Sequence, residues 1–134
     1  MEIVKCCASV RLPGGERKWR RMARLAKFDG TVRVRGFSKR DQEPHEMVSL
    51  GKYFWWRNLI TVQIKGHCGR GVTSSRYDPL ASYGHELGHS MLHARGRVVT
   101  NGRAFRDNAE QRSDPIERAC DRYSRILRAK TKEK

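Results

Sequence analysis

Ser82-Tyr83-Gly84-His85-Glu86-Leu87-Gly88-His89-Ser90-Met91-Leu92-His93 is the stretch around which this chain is read. Asp78-Pro79 precedes it as a helix start, an N-cap aspartate with proline at the first helical position, and Gly96 follows as a stop. The stretch is therefore expected inside a helix from Pro79 to Arg95. Residues four apart share one helical face about one turn from each other, so His85 and His89 can aim two imidazoles at one metal ion. Glu86 is rotated toward the mouth of such a site, where a carboxylate takes a proton from water activated by the metal.

A catalytic zinc ion takes three protein ligands and keeps a fourth position for water. His93 lies about 12 Å from His85 along the axis of a regular helix, too far to bind the same ion. The longer signature with a returning third histidine needs glycine at position 92 and histidine at position 95, where this chain has Leu92 and Arg95. The third ligand is expected from a following helix that Asp114-Pro115 opens. There Glu117 and Asp121 offer two carboxylates on one face, Glu117 to bind the metal and Asp121 to accept the distal N–H of a ligating histidine. Asp114-Pro115-Ile116-Glu117 also has the form of a capping box with Glu117 at its third helical position. The histidine pair upstream favours ligation, with Asp107 and Glu110 as fallback ligands. His93, Tyr77 and Tyr83 are candidates for touching the substrate or stabilising an oxyanion. A hydrogen-bonded, buried position near the helix end is the plainer reading of His93.

Outward from this core the pattern is α+β. Ile3 to Val10 is apolar and strand-like, ending at the turn Pro13-Gly14-Gly15. From Arg17 to Phe28 the spacing is helical, with Trp19, Met22, Leu25 and Ala26 on one face. Thr31 to Phe37 and Leu59 to Lys65 alternate as half-buried strands. Tyr53 to Trp56 reads as an aromatic cluster on a core or cleft wall. The last helix runs to about Ala129, with Ile116, Ala119, Cys120, Tyr123, Ile126 and Leu127 at apolar spacing and 130–134 as a frayed basic tail. The whole chain, 1–134, is expected to be one domain: a small mixed or antiparallel sheet, an N-terminal helix, the His-Glu helix and a C-terminal helix.

The net charge of +15 favours anionic partners such as nucleic acid or acidic proteins. Arg17, Lys18, Arg20, Arg21, Arg24 and Lys27 clothe the first helix and are candidate nucleic-acid contacts, although a solvated basic face has the same pattern. Four cysteines, at 6, 7, 68 and 120, contain no Cys-x-x-Cys pair, which disfavours a zinc ribbon. Cys6 and Cys7 read as small buried hydrophobes, and His67-Cys68 as an ordinary loop pair. The N-terminus has no secretory signal pattern and no apolar run is long enough to span a membrane, so a cytoplasmic setting without membrane contact is expected.

His85-Glu86-Leu87-Gly88-His89 with Leu92-His93, followed by Ile116-Glu117-Arg118-Ala119-Cys120-Asp121-Arg122-Tyr123, resembles the ImmA/IrrE family of zinc metallopeptidases. The likeness is specific between Asp78 and Leu127 and only in outline before it. Cys120 stands where that family usually has Glu or Gln, and Tyr123 where it has Phe. The resemblance implies a minimal zincin-like fold of gluzincin type. It implies one zinc ion held by His85, His89 and Glu117, with Glu86 as general base. The implied activity is hydrolysis of a peptide bond in a protein substrate, by Glu-assisted attack of a zinc-bound water. The implied substrate is a transcriptional repressor or another DNA-associated protein, often in a phage or mobile-element setting. It also implies that Leu59 to Lys65 is an edge strand on which a peptide lies. The alternative is a catalytically silent zinc-binding module that uses its basic charge to bind DNA or a repressor without cleavage. A third reading joins the two, a peptidase localised on DNA by its basic surface.

Overall fold

The computed structural model describes residues 1–6, 10–36, 51–64, 78–96 and 113–132. The alternation after Gly30 forms β2 (Thr31–Gly36), whose Val32 and Val34 are wholly buried while Arg33 faces solvent. β2 pairs in parallel with β1 (Glu2–Lys5) on one side and β4 (Leu59–Ile64) on the other. β3 (Gly51–Phe54) lies antiparallel against the far side of β4, giving the order β1-β2-β4-β3. With α1 (Glu16–Leu25), α2 (Pro79–Ala94) and α3 (Pro115–Lys130), the described residues form an α+β arrangement of three helices and a small mixed sheet.

This order corrects one expectation. β4 is paired on both sides and is not an edge strand. Its burial agrees, since Leu59, Ile60, Val62, Gln63 and Ile64 are all buried, the pattern of a strand covered on both faces. No peptide can add to β4 while β2 and β3 hold its two sides.

One sheet face carries the core. Val32, Val34, Ile60 and Val62 meet Trp19, Met22 and Ala23 of α1, Tyr83 and Leu87 of α2, and Leu127 of α3. Trp19, Met22 and Ala26 are buried as expected, but Leu25 is 47% exposed and Ala23 is buried in its stead. The helix closes through Lys27, which takes the left-handed conformation (φ 57) and lets the Phe28 N–H reach the Ala23 carbonyl. Phe28 thereby enters the core.

The aromatic run is not a core wall throughout. Phe54 ends β3, and Trp55–Arg57 form a short 3-10 turn on which Trp55 and Trp56 stay exposed. Asn58, left-handed at φ 48, leads into β4. Its carbonyl accepts from the Thr31 N–H, and a Cβ on Gly30 would come within 2.0 Å of that oxygen, so only glycine fits there.

Three further expectations change. Cys6 is exposed and disulfide-bonded rather than a buried thiol, and its partner is not among the described residues. Ile126 is exposed, while Ser124 and Thr131 are buried. Their hydroxyls donate to the Ala81 and Leu127 carbonyls, which satisfies them in the interior. The last helix thus extends through Lys130 to a buried Thr131, and the basic tail is ordered further than expected. Among the described residues no helix is long and apolar enough to cross a membrane.

Candidate metal centre

The site rests on how closely α2 and α3 approach. Both helices start on the same device: Asp78 accepts from the Leu80 N–H, Asp114 accepts from the Ile116 and Glu117 N–H groups, and proline follows each. The helices run in opposite directions, so Asp78 meets Arg128, Gly84 meets Ser124 and Gly88 meets Cys120. A Cβ on Gly84 would lie 2.5 Å from the Ser124 Oγ, and one on Gly88 would lie 2.9 Å from the Cys120 Cα. Two glycines a turn apart therefore let the backbones come together, and the residues beside them, His85 and His89, are carried onto α3.

There Glu117 spans both imidazoles. Its Oε2 lies 2.5 Å from His85 Nε2 and its Oε1 lies 3.5 Å from His89 Nε2. Asp121 Oδ1 stands 2.6 Å from His85 Nδ1, so both ring nitrogens of His85 face a carboxylate. The two imidazoles are edge to face, with centroids 5.0 Å apart. His89 is 8% exposed, and its Nδ1 is buried with no hydrogen-bond partner among the described residues.

The charges follow from this crowding. Burial alone would lower the pKa of His85, but hydrogen bonds to Asp121 and Glu117 and the charges of Glu86 and Glu117 raise it to about 10. His89 is raised in the same way, burial being outweighed by the Glu117 hydrogen bond and the Glu86 charge. For Glu117, burial works upward, and its hydrogen bonds to the two histidines prevail and hold it at about 2. Both histidines are thus shifted toward their protonated, positively charged form.

Glu86 is 7% exposed and packs over β3, where the missing side chain of Gly51 leaves it room: a Cβ there would lie 3.2 Å from Glu86 Cγ. Burial raises its carboxyl above the ordinary carboxylate range, and the charges of His89, His85 and Lys52 oppose that rise. It is the one carboxylate here buried beside both histidines without a hydrogen bond to either among those the structure shows.

These residues fit a divalent cation. Two imidazoles converge on one carboxylate through their Nε2 atoms. A third kind of donor, unforeseen from the sequence, stands with them. The Cys120 sulfur and one nitrogen each of His85 and His89 lie within 4.8 Å of one another, a group that could hold a metal ion. Its place was legible in the spacing, since Cys120 is three residues from Glu117 and so on the same side of α3.

The other predicted site residues scatter. Tyr83 is wholly buried, stacked on Trp19 at 4.1 Å and donating its hydroxyl to the Trp19 carbonyl at 2.7 Å. It is a core residue, not one that touches substrate. His93 is exposed rather than buried, and its ring lies 5.6 Å from that of Trp55 and 6.2 Å from that of Tyr53. Arg17 and Arg24 of α1 and Lys27 just beyond it face solvent, Arg20 pairs with Glu16 at 3.4 Å, and Lys18 reaches the Arg128 carbonyl. Arg21 is half-buried. Tyr77, His67, Cys68, Asp107 and Glu110 lie outside the described residues.

No protein-family model, curated protein or solved structure matches this chain.

Proposed function

We propose that the chain is a zinc-dependent peptidase with a reduced zincin-like arrangement, in which His85, His89 and Glu117 hold the metal. The observation that carries this reading is the meeting of His85 Nε2 and His89 Nε2 on one Glu117 carboxylate, with Glu86 buried alongside. When bound, the metal would supply Lewis acidity for amide hydrolysis. The chain's own residues do the rest. Asp121 fixes the orientation of His85 through Nδ1. Glu86, its carboxyl raised by burial, takes the proton of the attacking water and passes it to the leaving amine. The sheet and α1 serve as the support that keeps α2 in place.

The substrate is a protein or peptide, and the resemblance favours a repressor or another DNA-associated protein. A second reading, a zinc-holding module that binds without cutting, draws on the presence of a thiol among the donors, since structural zinc sites use cysteine. Exposed Arg17, Arg24 and Lys27 would then serve DNA contact, and DNA affinity would fall steeply between low salt and about 0.2 M.

Glu86→Gln separates the readings. A peptidase loses cleavage of a repressor or a model peptide and keeps its zinc. If the wild type with a full complement of zinc cuts no protein under conditions where the variant binds the same partners, the peptidase reading fails.

A further inference from the structure

We propose that Cys120 is itself a metal donor, so that the centre draws four protein ligands, His85, His89, Glu117 and Cys120, instead of three. This rests on the reading that α2 and α3 hold a metal ion. Cys120 is free of any disulfide and has no exposed surface, and it sits where the two helices pack closely, against Gly88. Its sulfur forms a group with a nitrogen of each histidine in which every pair lies within 4.8 Å. One turn before it on the same side of α3, Glu117 engages both histidines.

Glu117 stands outside that group of mutually close atoms although it touches both histidines, so a centre using all four donors requires Glu117 and Cys120 to draw together around the ion. On binding, a sulfur–metal bond forms, the S–H bond breaks, and the proton leaves to solvent. The chemical consequence is selectivity. A thiolate beside two imidazoles favours zinc, cobalt or cadmium over magnesium and manganese, which prefer oxygen. With all four residues bound, a zinc ion would keep no position for water or substrate, and hydrolysis would require Cys120 or Glu117 to give way. The thiol would thus hold the centre in a resting form.

Cobalt tests this without reference to catalysis. Wild type, Cys120→Ser and Glu117→Ala are loaded with cobalt, and metal content and near-ultraviolet absorption are read together. A sulfur-to-cobalt charge-transfer band in the wild type, lost in Cys120→Ser with cobalt still bound, is the expected result. Cobalt bound to the wild type without that band, or a band that survives Cys120→Ser, overturns the thiolate ligand and leaves the three-ligand centre standing. A folded wild type that takes up no cobalt overturns both. If Cys120→Ser does not fold, the cadmium NMR resonance of the wild type decides: a shift in the thiolate range supports the proposal, and one in the nitrogen and oxygen range sinks it.

Discussion

Gly88 of α2 and Cys120 of α3 are so close that a Cβ on the glycine would lie 2.9 Å from the cysteine Cα. Because that neighbour is backbone, nothing short of a helix shift relieves the contact. The candidate metal centre therefore depends on helix spacing as much as on the choice of ligands.

Gly88→Ala is expected to gain up to about 1 kcal/mol in helix propensity and to lose more, roughly 1–3 kcal/mol, to overpacking. The net effect is a lower melting temperature together with weaker zinc binding, because the shift moves Glu117 away from His85 and His89. Thermal unfolding and a chelator competition check both parts. A variant more stable than wild type with unchanged zinc affinity would show that the helices have slack.

Asp121→Ala removes the acceptor at His85 Nδ1 and leaves the direct donors in place. Zinc affinity should fall by roughly 10–100-fold, the usual cost of losing such an orienting partner. Competition with a chromophoric chelator measures it, and an unchanged affinity would make the 2.6 Å contact incidental.

Tyr83→Phe deletes the hydroxyl that donates to the Trp19 carbonyl in the core. Stability should drop by about 1 kcal/mol, with the carbonyl left unpaired. Zinc content and any peptidase activity should stay at wild-type levels. A selective loss of activity would return Tyr83 to the site.

In the metal-free protein His85 sits at about 10 rather than 6.5, so it carries a proton at neutral pH that a metal must displace. Zinc affinity should rise with pH across that interval. The stability of the metal-free fold should run the other way, because a raised pKa contributes fully below pH 6.5 and its contribution is lost as pH rises through about 10. Calorimetric zinc titrations in buffers of different ionisation enthalpy should report proton release. Equal heats in all buffers would contradict it.

Much of this arrangement was legible in the sequence because its signals are local. Asp78-Pro79 and Asp114-Pro115 mark both helix starts, and the spacing within each helix puts His85, His89, Glu117 and Asp121 on facing sides. The sheet order was not legible, because which strand lies inside depends on pairings distant in the chain, and β4 lies between β2 and β3. β3 escaped notice because four residues ending in an aromatic run carry little alternation. Buried Ser124 and Thr131 were hidden for a related reason: their polarity is cancelled by main-chain carbonyls that only the folded helices supply. Cys120 looked like a mild departure from a family pattern, and its meaning appears only when Gly88 brings it beside the histidines.

Metal content decides whether α2 and α3 hold one metal ion between them. Wild type and Glu117→Ala would be purified side by side without chelator, checked for folding by circular dichroism, and analysed for zinc. About one zinc ion per wild-type chain and a sharp reduction in the folded variant are expected. A folded wild type that holds no zinc, even after zinc is supplied, would contradict that expectation.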